Sequence, residues 1–326
     1  MKRRNKTLGK AVFVFMVAVV FAASGAAWAK KPLSTNLINT APVSITACGT
    51  FGANNTLYLV SSFTTAATGD CIVISGDNDL VYFQPSNGGP GLITGPGVAT
   101  STGAGLHVTG DHATIEGNDA FITGFKVGVL SDGDTVVGDD IGVGTFTAAA
   151  VGNGTGLELT KDHNRWTNVT SSQNTGAGIW INSANHALVA DFFSASNGGD
   201  GVLITNADSP AVSVFISVDN GANGVHLGCA STGPGSAPVA CKNNNSATVA
   251  DAFLSAPNGV DNNTSVGVLL DVSELNAGDH VTLIQSSGNT TTDMEDKSTT
   301  CSTNLWFGNS FTNSIVHGGA NPGCIQ

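Results

Sequence analysis

Gly178-Ile179-Trp180-Ile181, Gly201-Val202-Leu203-Ile204 and Gly224-Val225-His226-Leu227 repeat one pattern, glycine, apolar, variable, apolar, at intervals of 23 residues. The pattern runs on in both directions through Gly105-Leu106-His107-Val108, Gly128-Val129-Leu130-Ser131, Gly156-Leu157-Glu158-Leu159 and Gly267-Val268-Leu269-Leu270, with glycine spacings of 23, 28, 22, 23, 23 and 43. Such a period is too short for a propeller blade of about 40 residues and suits one coil of a parallel β-helix. Side chains alternate along a strand, so Leu106 and Val108 point inward and His107 outward. A second apolar strand follows in each coil, as in Ala113-Thr114-Ile115, Leu188-Val189-Ala190 and Val212-Ser213-Val214. No coil buries its apolar face alone, so neighbours must stack.

A column of asparagines supports the register. Asn174, Asn197 and Asn220 each lie four residues before their glycine and are 23 residues apart, the spacing at which amide ladders run along a stack of strands. Cysteine spacing agrees. Cys48 and Cys71 are 23 apart, as are Cys301 and Cys324, which puts each pair on adjacent coils within disulfide reach. Cys229 and Cys241 close a Gly/Ser/Pro-rich excursion. All six are expected to be oxidised, as in an exported protein. The interval of 43 exceeds one period by about 20 residues, expected as a loop at about 228–247.

Residues 1–29 read as a signal peptide: Lys2, Arg3, Arg4, Lys6 and Lys10 precede an apolar run from Ala11 to Ala23 that ends in Ala27-Trp28-Ala29. The run is shorter than the roughly 20 residues of a membrane span, so no span remains once the signal is cleaved. Secreted, periplasmic or cell-surface localisation follows. Residues 30–43 are expected as a linker and 44–326 as a single-domain, all-β solenoid of about 22 to 23 residues per coil. Five of the 12 Lys+Arg residues and none of the 24 Asp+Glu residues lie in the signal, so the mature chain carries 7 − 24 = −17. That charge, with Arg165 the only arginine left, argues against nucleic-acid binding. The 41% hydrophobic content excludes disorder.

At Ala47-Cys48-Gly49, Asp70-Cys71-Ile72-Val73-Ile74, Asn304-Leu305-Trp306-Phe307-Gly308-Asn309-Ser310-Phe311 and Cys324-Ile325 the chain resembles right-handed parallel β-helix repeat proteins of the pectate-lyase-like superfamily. The resemblance covers about residues 44 to 326. It implies the handedness, and it leaves the reaction open between lyase, hydrolase, epimerase and non-catalytic protein.

Candidate chemistry is sparse. Gly138-Asp139-Asp140 is similar to the paired aspartates of polygalacturonase-type glycosidases, which need a carboxylic acid and a carboxylate across the scissile bond. The companion motifs are missing, and a solvated turn is the simpler reading. A lyase would need a base among Lys161, Arg165 and the more distant Lys126, with Asp132, Asp139 and Asp140 holding Ca²⁺ against a uronic carboxylate. His163 follows Asp162 as His112 follows Asp111, His186 follows Asn185 and His280 follows Asp279, a recurrence that reads as turn chemistry.

The outward positions of the first strand form the column His107, Leu130, Glu158, Trp180, Leu203, His226, Leu269. Glu158 and Trp180 fall on adjacent coils, where an indole face beside a carboxylate suits a sugar, and His107 joins them as a substrate-binding candidate. The leucines instead read as a covered face. An extracellular polysaccharide is therefore the expected partner, bound or processed. The competing reading is a non-catalytic structural or adhesive protein of the envelope or matrix.

Overall fold

The computed structural model describes residues 41–84, 91–145, 152–228, 247–250, 260–271, 279–297, 304–316 and 325. The signal peptide and the pairings Cys229–Cys241 and Cys301–Cys324 lie outside the described residues. Within the unit Ile38–Gln326 the chain winds as a right-handed parallel β-helix. All strand pairings among the described residues are parallel, and none of these residues is helical.

Two sheets run the length of the stack. Sheet A has 16 strands and sheet B has 11. In sheet B the strands Ala104–Val108, Val127–Ser131, Thr155–Leu159, Ile179–Asn182, Val202–Thr205, Val225–Leu227 and Val266–Leu270 lie side by side. Their register is the one the repeat predicts, with Leu157 beside Ile179, Ile179 beside Val202 and Val202 beside Val225. The inward column Leu106, Val129, Leu157, Ile179, Val202, Val225 and Val268 is fully buried. Each such side chain contributes roughly 1.5–3 kcal/mol of apolar burial. Sheet A answers from the other side with Val81, Ile115, Trp166, Val189, Val212, Val249, Val281 and Trp306.

The corner leading into sheet B is polar and buried. Asn174 Nδ2 donates to Asn197 Oδ1 at 2.9 Å, Asn197 Nδ2 to Asn220 Oδ1 at 3.0 Å, and Asn220 Nδ2 to Asn263 Oδ1 at 2.9 Å. Asn263 passes the ladder to Asn289 at 2.9 Å, and Asn153 joins at the other end through its backbone N–H. Ser171, Ser194 and Ser217 lie beside it, donating to the carbonyls of Gly178, Gly201 and Gly224. The repeat glycine is required here, because a Cβ on Gly178 or Gly201 would drive into the stacked serine and asparagine side chains.

Sheet A strands bend at one aligned position in five of the coils. Asp140, Asn168, Asp191, Val214 and Leu283 hold φ between 50° and 57° there, aligned by the register of the residues just before them. Asp and Asn tolerate this left-handed conformation; Val214 and Leu283 are costly in it. Gly138-Asp139-Asp140 is thus not a solvated turn but a kinked strand within Val137–Gly144. Gly138 leaves room for the Trp166 ring, and Asp140 makes the bend.

Three of the four recurrent histidines lie in turns, as expected, whereas His280 opens the strand His280–Thr282 in register with Thr248 and is not part of that turn column. His112, His163 and His186 have φ of 55° to 60°. The rings of His163 and His186 stack at 5.2 Å, and Asp77, Asp111 and Asp162 accept backbone N–H groups from the next coil. Cys48 and Cys71 are bonded, with Cα atoms 4.4 Å apart.

One expectation changes in form. Leu227 to Thr248 spans 21 residues where Ile204 to Ala211 takes seven, and Ala250 to Val260 spans ten where Ser213 to Ser217 takes four. The extra 20 residues are therefore two excursions, of 14 and 6, on either side of Thr248–Ala250. Glycine spacing alone could not divide them.

Candidate functional site

The outer face of sheet B carries the column predicted from the repeat. His107 lies beside Leu130, Leu130 beside Glu158, Glu158 beside Trp180, Trp180 beside Leu203, Leu203 beside His226 and His226 beside Leu269. A second outward column runs two residues further along each strand, through Asp132, Thr160, Asn182, Thr205, Asp271 and Lys297. Bonds run between the two columns and along the second. Asn182 Nδ2 donates to Glu158 Oε1 at 3.0 Å, Thr160 Oγ1 to Asp132 Oδ1 at 2.6 Å, and Trp180 Nε1 to Thr205 Oγ1 at 2.9 Å.

The last of these bonds sets the attitude of the indole. Thr205 lies on the following coil, two residues beyond Leu203, so the tether lays the ring along the sheet rather than out into solvent. Leu203 is only 8% exposed although its register points it outward. A ring held in this way offers one π-face as a platform.

Two histidines are clamped alike on this face. His107 donates from Nδ1 to Asp70 Oδ2 at 2.8 Å, and its Nε2 faces Asp132 at 3.8 Å. His226 donates from Nδ1 to Asp200 Oδ2 at 3.2 Å, and its Nε2 faces Asp271 at 3.5 Å. Lys297 closes the second cluster on Asp271 at 3.2 Å. Burial opposes charge on His226, but the bonds to Asp200 and Asp271 outweigh it and push its pKa up to about 9. The His226 contact in turn holds Asp271 well below the usual carboxylate range. Burial raises Glu158 above the ordinary range; the Asn182 bond opposes this and the Asp132 charge adds to it.

The structure divides the remaining candidates. Lys161 is exposed in the turn after Thr160, and its carbonyl accepts a bond from Asn164 Nδ2. Arg165 is exposed at the start of a sheet A strand. Asp139 lies on the outer side of sheet A, where its Oδ1 accepts from Thr167 Oγ1 at 2.7 Å and Asn168 Nδ2 at 3.1 Å. Burial and the neighbouring Asp119 push Asp140 up to about 6. Asp132 belongs to the sheet B side, so the expected cation trio of Asp132, Asp139 and Asp140 is not gathered. Among the described residues, no group of three or more His, Cys, Asp or Glu could hold a metal ion. Glu158, Trp180 and His107, by contrast, share one face, with Asp132 among them.

Sequence reasoning missed Asp70, Thr160, Asn182, Thr205 and the Asp200–His226–Asp271–Lys297 cluster. A signal for several was present. Advancing two residues along each predicted strand from the first outward column yields the second.

No protein-family model matches the chain, and no curated protein matches it in sequence. Solved structures do match in shape. The Dettilon tailspike protein superposes with a TM-score of 0.55 at 12% identity, over 84% of this chain and 53% of that one. A periplasmic alginate epimerase gives 0.49 at 11% identity, over 79% and 60%, and a pectate lyase gives 0.48 at 15% identity, over 83% and 74%. The fold shared with the tailspike protein is the right-handed parallel β-helix. The chain spans a little over half the length of the first two of these proteins.

Proposed function

We propose that this chain is an exported β-helix protein that binds extracellular polysaccharide on the outer face of sheet B. The observation that carries this reading is the tethered Trp180 indole, with Glu158 beside it on the preceding coil and Asn182, two residues along its own strand, bonded to that carboxylate. Stacked CH groups of a sugar ring suit the indole face, and ring hydroxyls suit the carboxylate and amide. The apparent signal peptide and the Cys48–Cys71 disulfide support export.

Mature protein titrated with a panel of soluble glycans should show a tryptophan fluorescence response, since Trp166 and Trp306 are buried in the core and Trp180 is the partly exposed one. Trp180→Ala should weaken the glycan that binds by about tenfold, the equivalent of a lost aromatic platform worth roughly 1 kcal/mol or somewhat more. Absence of any response across neutral and acidic glycans would remove the reading. The structural or adhesive alternative would then stand, for which Leu283, Leu305 and Phe307, 48–61% exposed on the outer side of sheet A, offer a surface.

A further inference from the structure

We propose that Glu158 and Asp132 form an acid and base pair that hydrolyses a glycosidic bond in an uncharged polysaccharide. The inference rests on the glycan-binding reading and adds catalysis and a substrate class to it.

The geometry starts from the register. Leu130 and Glu158 are direct neighbours, so Asp132, two residues beyond Leu130, is the diagonal neighbour of Glu158 on the same face. One strand spacing of about 4.8 Å and a two-residue rise of about 6.6 Å place their Cα atoms about 8 Å apart. Two carboxyl groups carried on Cα atoms so spaced, on one face, can flank a sugar and an attacking water.

The environments of the two groups differ in the sense the chemistry needs. Glu158 is largely buried, flanked by Leu130 and Trp180, and burial favours its protonated form. Asp132 has a side chain 39% exposed. It accepts a short bond from Thr160 and faces the His107 ring, whose other nitrogen is fixed by Asp70. A carboxyl whose protonated form burial favours, beside a more exposed one, is the arrangement that sets two roles for two like groups.

In the reaction, Glu158 gives its proton to the bridging oxygen as the bond from C1 to that oxygen breaks, and the leaving sugar departs as an alcohol. Water forms the new bond to C1 and gives a proton to Asp132. One water is consumed, Glu158 ends ionised and Asp132 protonated, and exchange with solvent restores both.

Charge selects the substrate. The two outward columns and the residues that bond to them present Asp70, Asp132, Glu158, Asp200, Asp271 and Glu295 against His107, His226 and Lys297. On a chain of net −12, or −17 once residues 1–29 are removed, this face repels uronic acid polymers and accepts neutral ones.

The test compares binding with turnover on neutral glycans. Mature protein should release reducing ends, and Glu158→Gln and Asp132→Asn should each lower the turnover of bound glycan, measured at saturating glycan, at least a hundredfold. The pH profile of the wild type should fall on its basic limb as Glu158 loses its proton. A glycan that binds without being cleaved, or a rate unaltered in either variant, overturns the pair and leaves the binding reading intact. Failure of every glycan to bind overturns both. Cleavage confined to uronic acid polymers overturns the substrate class.

Discussion

Replacing Asn197 by alanine tests whether the amide ladder holds the coils in register. Asn197 is 1% exposed, and its side chain makes five hydrogen bonds. Oδ1 accepts from the Asn174 backbone N–H at 3.1 Å and from Asn174 Nδ2 at 2.9 Å. Nδ2 donates to Ser171 O, Ser194 Oγ and Asn220 Oδ1. Most of those partners keep another bond: Asn174 Nδ2 still reaches Ser171 Oγ, and Asn220 Oδ1 still accepts from the Asn197 backbone. The Asn174 backbone N–H is left without this acceptor in a buried corner. An orphaned donor costs about 1–3 kcal/mol and each other lost bond at least about 0.5 kcal/mol, so Asn197→Ala should destabilise by roughly 3 kcal/mol or more. Urea denaturation measures this as a lower midpoint at unchanged slope. Asn54→Ala is the control, since Asn54 accepts the Asp77 N–H on the surface, where water replaces it. A loss below about 1 kcal/mol for Asn197→Ala, or equal losses for the two variants, would refute the reasoning.

Val214→Asn should stabilise by about 1 kcal/mol, because a β-branched residue sits at φ 50° with 40% exposure where Asn168 and Asp191 occupy the same bend; a lowered denaturation midpoint would count against the bend column. Burial pushes Asp279 up to about 7, and its Oδ2 has no hydrogen-bond partner among the described residues. The folded state therefore holds a proton more tightly than the unfolded chain, and stability should fall as pH rises from about 4 to 7. Asp279→Asn should flatten that slope and gain up to a few kcal/mol at pH 8, as read from denaturation at several pH values. His226, raised to about 9, has the same pH sense at higher pH: its stabilising contribution is complete below about 6.5 and fades as pH climbs through 9. His226→Gln should abolish the loss of stability between pH 7 and 9, and an unchanged profile would show that the Asp200–Asp271 clamp does not keep the ring charged.

Much of the fold was legible because a solenoid writes its register into the spacing of one residue type. Gly178, Gly201 and Gly224 mark the corner, Asn174, Asn197 and Asn220 mark the ladder, and Cys48 and Cys71 mark adjacent coils. The structure lengthened the ladder to Asn153, Asn263 and Asn289, which the irregular intervals had hidden. The bend was not legible, since Asp140, Asn168, Asp191 and Val214 share a backbone conformation but no side-chain chemistry. The site was half legible. The outward column containing Glu158 and Trp180 follows from alternation. The bonds that organise it join residues 24 to 28 apart in the chain, and their polarity alone does not distinguish them from ordinary surface positions.

The two excursions flanking Thr248–Ala250 show how much freedom a single coil has. After them Asp261 resumes beside Val218, and seven residues lead from Asp261 to Val268 as seven lead from Val218 to Val225. Length added at those points leaves no trace on the next coil. The coil thus works as a socket, into which segments of other lengths and sequences can be exchanged without re-engineering the stack. The same tolerance would let descendants of this chain diversify there while the rod beneath them stays constant.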